Sequence, residues 1–261
     1  MMMSGNDMAP GKKRWIDTRL TAEEMDFLWG CISEENKVKG THDIFRSEML
    51  IDKDNWFFET TLKPLTEKMF YDDWNNYREY IVGDECKPKF ELTSIWVNYM
   101  KQHEFRPLHD HGGLYSFVVF VKIPIHWKEQ HALSITRNPK IYDDHAVTTL
   151  SVASNFQFVW STENKERCQV ANFPLSPEDE GRMLFFPAKL HHLVYPFYEC
   201  EEKRITISGN IVLCDPNRPK SQEITVDEYE KKKETIKIVE NSVIQMKEEL
   251  KQMKKTSEKE K

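Results

Sequence analysis

The stretch HDHGGLYSFVVFVKI, residues 109–123, decides the reading of the fold. From Leu114 to Ile123 it is a nearly unbroken apolar run, rich in β-branched and aromatic residues, as in a strand. A strand apolar on both faces is covered on both faces. Ahead of it stand two histidines, two residues apart. In extended chain, residues i and i+2 point to one side. His109 and His111 can then chelate one metal together, with Asp110 turned away. Imidazole suits Fe, Zn, Cu and Ni alike, so the spacing leaves the metal open.

Working outward, similar strand-like runs occur at 92–101, 147–160, 182–187 and 203–214, separated by Pro, Asn, Asp and Gly. Upstream the texture is helical. Thr21 and Glu24 have the spacing of a capping box, and Met25, Leu28, Trp29 and Ile32 recur at helical intervals. A second helical region runs from about Asp54 to Ile81, with Pro64 marking a break or a new first turn. The expected fold class is α+β. It is a barrel or sandwich of antiparallel strands, with N-terminal helices packed on one outer side and a C-terminal amphipathic helix. The expected organisation is a flexible N-terminus over 1–20, one domain over 21–219 and a charged helical tail over 220–261. In the tail, Ile236, Val239, Val243, Met246, Leu250 and Met253 alternate by threes and fours. This is an a/d pattern suited to a homodimer or a partner helix through 226–261.

Composition narrows the classes. With 39% hydrophobic residues, 7 Trp and 15 Phe in 261 residues, the chain can build a full core. A net charge of −6 argues against general nucleic-acid binding. The cysteine count is odd, at 5, with no CxxC, which argues against a disulfide framework or zinc ribbon and points to a reducing compartment. No signal peptide or apolar span is present. The expectation is a cytoplasmic protein with no membrane association.

A second histidine cluster, His191-His192, follows the strand MLFFP. Adjacent residues on a strand face opposite ways, so one of the two can join His109 and His111. Other chemistries fail on spacing. His103-Glu104 starts like a zincin, but the next histidine is His109, and no GxSxG, P-loop or GxGxxG occurs. Downstream, KRITISGNI reads as a strand with Arg204, Thr206, Ser208 and Asn210 on one face. A buried Arg there needs an anion, and a guanidinium is shaped for a carboxylate.

Three blocks in this order, HEFRPLHDHGGLYSFVVFVKIP (103–124), EGRMLFFPAKLHHLVYPF (180–197) and KRITISGNI (203–211), resemble the iron(II)/2-oxoglutarate-dependent oxygenases of the double-stranded β-helix fold. They are most similar to the small hydroxylases frequent in bacteriophage genomes, which are related to prolyl hydroxylases. The resemblance covers roughly 92–214 and implies an α+β fold built on a double-stranded β-helix (jelly-roll) barrel, with the N-terminal helices packed outside. It implies Fe(II), 2-oxoglutarate as co-substrate and O2, giving succinate, CO2 and a hydroxylated peptide or small molecule. By position it implies His109 and His192 as metal ligands, Arg204 for the distal carboxylate of 2-oxoglutarate, Thr206 beside it, and Tyr99 as a further co-substrate contact. The third metal ligand departs from the usual HxD or HxE. Either His111 binds, as in three-histidine cupins, or Asp110 turns inward from a non-extended loop; strand parity favours His111. Two other classes stand beside this one. A cupin-type dioxygenase or isomerase without 2-oxoglutarate fits the Gly-x5-Pro spacing of 181–187, and a non-catalytic jelly-roll binding protein fits the barrel alone.

Overall fold

The computed structural model describes residues 14–33, 37–38, 47–72, 88–136, 151–161 and 167–214. In chain order the strands are β1 (Ile16–Arg19), β2 (Lys37–Val38), β3 (Ser47–Leu50), β4 (Phe90–Met100), β5 (Arg106–His109) and β6 (Tyr115–Lys122). They continue with β7 (Phe156–Ser161), β8 (Cys168–Phe173), β9 (Arg182–Pro187), β10 (His191–Val194) and β11 (Arg204–Leu213). The α-helices are α1 (Ala22–Ile32), α2 (Lys63–Asp72) and α3 (Trp127–Ala132).

Every strand pair is antiparallel. Seven strands form one sheet in the order β1-β9-β6-β11-β4-β3-β2, and four form another in the order β5-β10-β7-β8. This is the jelly-roll architecture expected from the sequence. The apolar run of β6 is explained by two separate cores. Phe117, Val119 and Val121 share a buried cluster with Leu28 of α1 and Phe57, Leu62 and Phe70. Val118 and Phe120 point the other way, into a cluster with Phe156 and Phe158 of β7 and Phe186 of β9.

The helices form for local reasons. Thr21 and Glu24 make the anticipated capping box. The buried residues of α1 are Leu28 and Cys31, whereas Trp29, expected on the inner stripe, is 42% exposed. Ahead of α2 the chain passes through a π-turn at Phe58–Leu62, directly before Pro64. Proline lacks the N–H for the bond to the carbonyl four residues back, and its ring crowds that carbonyl, so a widened turn accommodates it without a stop. Asp52 caps this helical run by accepting from the Phe57 and Phe58 amides at 2.9 and 2.8 Å. No helix among the described residues is long and apolar enough to cross a membrane.

Two expectations change. Residues 1–20 are not wholly a flexible lead-in, because Ile16–Arg19 pairs along β9. Charged contacts fix that edge: Arg182 grips Asp17 through two bonds of 2.9 and 2.7 Å, and Arg19 donates to the Glu180 and Glu178 carbonyls. The strand expected at 147–160 begins at Phe156. The remainder of the helix anticipated to residue 81, and the tail helix at 220–261 with its pairing face, lie outside the described residues.

Gly209 sits in the middle of β11, between Ile95 and Phe117 in register. A Cβ there would stand 2.6 Å from the Phe117 ring and 2.6 Å from the Ser94 carbonyl oxygen. The backbone oxygen cannot swing away. Gly209→Ala is therefore expected to destabilise the fold by about 1–3 kcal/mol, the usual range for overpacking. Denaturant unfolding checks this, and an unchanged midpoint would contradict it.

Candidate metal and anion site

The two histidine clusters meet because of strand pairing. His109 ends β5, and His192 lies opposite it on β10. His111 follows in the turn to β6, where its amide donates to the Ala188 carbonyl at 2.8 Å. Gly113 turns the chain at φ +97°, and a side chain there would meet the Ile211 carbonyl oxygen at 2.8 Å. This is left-handed backbone that glycine adopts without strain.

One nitrogen from each of His109, His111 and His192 lies within 4.8 Å of the others. The Nε2 atoms of His111 and His192 are 3.1 Å apart, and their rings stack at 8°. Nδ1 of His192 faces the Leu190 carbonyl at 3.1 Å, and Nδ1 of His109 faces the Pro107 carbonyl at 2.6 Å. A ring that donates Nδ1–H to a carbonyl presents the lone pair of Nε2 inward, the form in which imidazole binds a metal. Asp110 points outward and pairs with Lys189 at 3.3 Å. The parity argument for His111 over Asp110 therefore matches the geometry. His191 is exposed, on the opposite side of β10 from His192.

Burial, reinforced by His109, lowers the His192 pKa to about 3 and that of His111 to about 4. Both rings are neutral at ordinary pH, as ligation requires. Below the ordinary value of 6.5 the unfolded chain takes up protons that these two folded rings refuse. The metal-free protein is thus expected to lose stability as pH falls from about 6.5 towards 4, and unfolding midpoints at about pH 7.5 and about pH 5 test it. Equal midpoints would contradict it.

The three histidines line a cavity of about 480 Å³ between the sheets. The inner face of β11 supplies Arg204, Thr206, Ser208 and Asn210 to it, as the alternation anticipated. Arg204 is 1% exposed. Its Nη2 donates to the Ser154 carbonyl at 3.1 Å, and its guanidinium lies 5.0 Å from the Phe197 ring centre. Its Nε and Nη1 are buried with no hydrogen-bond partner among the described residues. Burial lowers its pKa below the ordinary guanidinium value. A cation so placed calls for an anion with two oxygens. Thr206 Oγ1 accepts from Asn98 Nδ2 at 3.4 Å.

Tyr99 is a correction. In register it pairs with Ile205, not Thr206, and packs on the outer core, with Lys203 5.4 Å from its ring. Side-chain parity turns it away from the cavity, so it cannot touch a ligand there. The neighbours of opposite parity, Ser94, Trp96, Asn98 and Met100, line the cavity instead. The sequence reading missed Trp96, whose ring stacks on His111 at 5.6 Å and 19°, and Arg106 of β5. The alternation in LTSIWVNYMK carried the first signal, but choosing the inward parity needed the β4–β11 register.

Residues 94–210 match the family model described as "Putative 2OG-Fe(II) oxygenase". This segment resembles the 2OG-Fe(II) oxygenases. The match spans all three histidines and Arg204. Solved structures similar to this chain include a Pseudomonas putida prolyl-4-hydroxylase. Identity to it is 10% and the TM-score 0.41, over 77% of this chain and 94% of that one. An oxidoreductase of the 2OG-Fe(II) oxygenase family from Burkholderia pseudomallei matches at 9% identity and TM-score 0.45, over 76% and 84%. The non-haem alpha ketoglutarate dependent epimerase SnoN from nogalamycin biosynthesis matches at 12% and 0.40, over 76% of each chain. No curated protein matches the chain in sequence.

Proposed function

We propose that this protein is an Fe(II)- and 2-oxoglutarate-dependent dioxygenase that hydroxylates a substrate while 2-oxoglutarate is converted to succinate and CO2. The observation that carries the reading is the pairing of features in one cavity. Three imidazoles converge there, together with a buried arginine whose Nε and Nη1 lack partners among the described residues. The donor set fits a divalent transition metal, since neutral imidazole suits iron. His109, His111 and His192 would hold the iron, which supplies the oxidising chemistry when O2 is bound.

The residues of the chain do the rest. Three neutral ligands leave the charge of the metal uncompensated by protein, so an anionic co-substrate is favoured beside it. Arg204 receives the far carboxylate through its unpartnered donors, and Thr206 adds a hydroxyl on the same face of β11. Phe120, Phe156 and Phe186 line the cavity and keep it dry, which strengthens each of these contacts. Stacking on Trp96 holds the His111 ring in place.

The all-histidine set also favours a second reading, a metal dioxygenase that uses no 2-oxoglutarate. Arg204 weighs against it, because that reading gives its buried charge no partner. Succinate release from 2-oxoglutarate, with Fe(II) and O2 present, tests the proposal. Slow release without added substrate, abolished by removing iron, supports it. Iron binding with no succinate under any substrate panel supports the second reading.

A further inference from the structure

A guanidinium takes a carboxylate through two parallel bonds only when its plane and its rotation are fixed. In Arg204 two contacts fix them: the Ser154 carbonyl, which accepts from Nη2, and the Phe197 ring. Neither partner lies in a strand. Ser154 stands just before β7 and Phe197 just after β10. Those strands are antiparallel neighbours with Phe156 opposite Val194, so the two segments run side by side. The Ser154 amide donates to the Pro196 carbonyl at 2.8 Å, and the Tyr195 amide to the Asn155 carbonyl at 2.9 Å.

One short helix, α3, ties down both segments through adjacent residues. Gln130 is buried, and its Nε2 donates to the Tyr198 carbonyl at 2.9 Å while its Oε1 accepts from the Tyr198 amide at 2.8 Å. The side chain thus pairs with the backbone beside Phe197 as a neighbouring strand would, and backbone groups shut away from water need such a partner. His131 Nε2 faces the Ala153 carbonyl at 3.0 Å and Asn155 Oδ1 at 3.2 Å. Two oxygens before one ring nitrogen make that nitrogen the donor. Its N–H therefore grips the residues on either side of Ser154. Ser154 itself has φ +65°, left-handed backbone that a serine keeps only where its surroundings hold it. The Trp127 ring braces the His131 ring edge-on at 5.2 Å.

We propose that Gln130 and His131 are positioning residues for the co-substrate: through the Phe197 and Ser154 segments they hold the Arg204 guanidinium where it meets the distal carboxylate of 2-oxoglutarate. This rests on the oxygenase reading of the site, which assigns that carboxylate to Arg204. Neither side chain lines the cavity, so each acts through the arginine and not on a ligand. His109 and His192 take their orientation from the Pro107 and Leu190 carbonyls instead.

2-Oxoglutarate and 2-oxovalerate serve as probes. They chelate a metal alike, and a methyl group replaces the distal carboxylate in the second. Each is titrated anaerobically into Fe(II)-loaded protein. Gln130→Met and His131→Phe are each expected to weaken 2-oxoglutarate at least about tenfold and to leave 2-oxovalerate within about twofold, because a displaced guanidinium loses a charged pair that 2-oxovalerate never makes. His131→Gln, which keeps an N–H donor, should retain most of the wild-type preference. Unchanged Fe(II) binding shows that a variant is folded, and Gln130→Met decides should His131→Phe lose iron. In an Arg204→Met background neither substitution should weaken 2-oxoglutarate further, since all then act through one group. Three results would overturn the proposal: a wild-type preference surviving in both variants, equal losses for the two probes, or a loss that persists without Arg204. Failure of the oxygenase reading is distinguishable, because 2-oxoglutarate would then not bind the iron-loaded wild type at all. The Arg204 Nε–H signal in nitrogen-15 spectra of metal-free protein, assigned by its absence from Arg204→Met, still reports on the guanidinium. It should shift in both variants, and an unmoved signal contradicts the proposal.

Discussion

His192→Ala and His109→Ala each remove stoichiometric Fe(II) binding, with affinity falling by at least about 100-fold, since even loss of an outer-shell partner costs about 10–100-fold. The expectation follows from the small size of the ligand set. Among the described residues three protein nitrogens converge, within 4.8 Å, with no carboxylate among them. Removing one leaves two neutral donors, too few to compete with water for a divalent ion. His111→Ala should behave in the same way. Asp110→Asn should spare binding, because that carboxylate faces Lys189 outside the cavity. His191→Ala should spare it as well, since that ring is exposed on the other side of β10. Equilibrium dialysis with metal analysis of the five variants decides the matter. Iron lost in Asp110→Asn and kept in His111→Ala would show a carboxylate ligand and a different turn conformation.

Arg204→Met weakens 2-oxoglutarate binding by about 2–5 kcal/mol, the cost of breaking a buried charged pair, which is about 30-fold or more in affinity. Iron binding stays intact, because Arg204 has no contact with the imidazoles. The same substitution is expected to raise the stability of the metal-free protein. There Arg204 is a charge buried at 1% exposure with Nε and Nη1 unpaired among the described residues, and its Nη2 bond is to the neutral Ser154 carbonyl. Replacing buried ionic groups by apolar ones of similar volume is often stabilising by about 1–4 kcal/mol. Titration of iron-loaded protein and unfolding of metal-free protein test the two halves. Unchanged affinity would remove Arg204 from the co-substrate site and favour the reading without 2-oxoglutarate.

The sequence was legible where one residue's environment decides its type. β6 was readable because both its faces are buried, which leaves an apolar run that no solvated strand would carry. A barrel or sandwich followed from several such strands with turn residues between them, and the jelly roll from the resemblance of the three blocks. The strands β1, β5 and β10 were not readable, since four residues are too few for an alternation to stand out. Two of these three carry metal-site histidines. His109 and His111 were found through parity alone, which needs no knowledge of the partner strand. Tyr99 was misplaced because its facing depends on the β4–β11 register. Register is set by the whole sheet, and it puts Tyr99 opposite Ile205 on the outside. Arg106 was missed for a related reason. In sequence it is one more basic residue before a proline, and only the closing of the two sheets brings it to Asn98 and Ser47. Trp29 failed as a core residue because a helical stripe fixes a face only to within about one residue, and Cys31 fills the inner position.

The central claim is that metal and co-substrate bind together in this one cavity. Its most direct test is an anaerobic titration of 2-oxoglutarate into the wild-type protein with and without Fe(II), followed by calorimetry and by the visible charge-transfer absorption of a 2-oxo acid chelated to Fe(II). The expected result is one equivalent bound, with that absorption, in the iron-loaded protein, and much weaker binding without iron. Equal binding with and without iron, or no binding to the iron-loaded protein, would contradict the account.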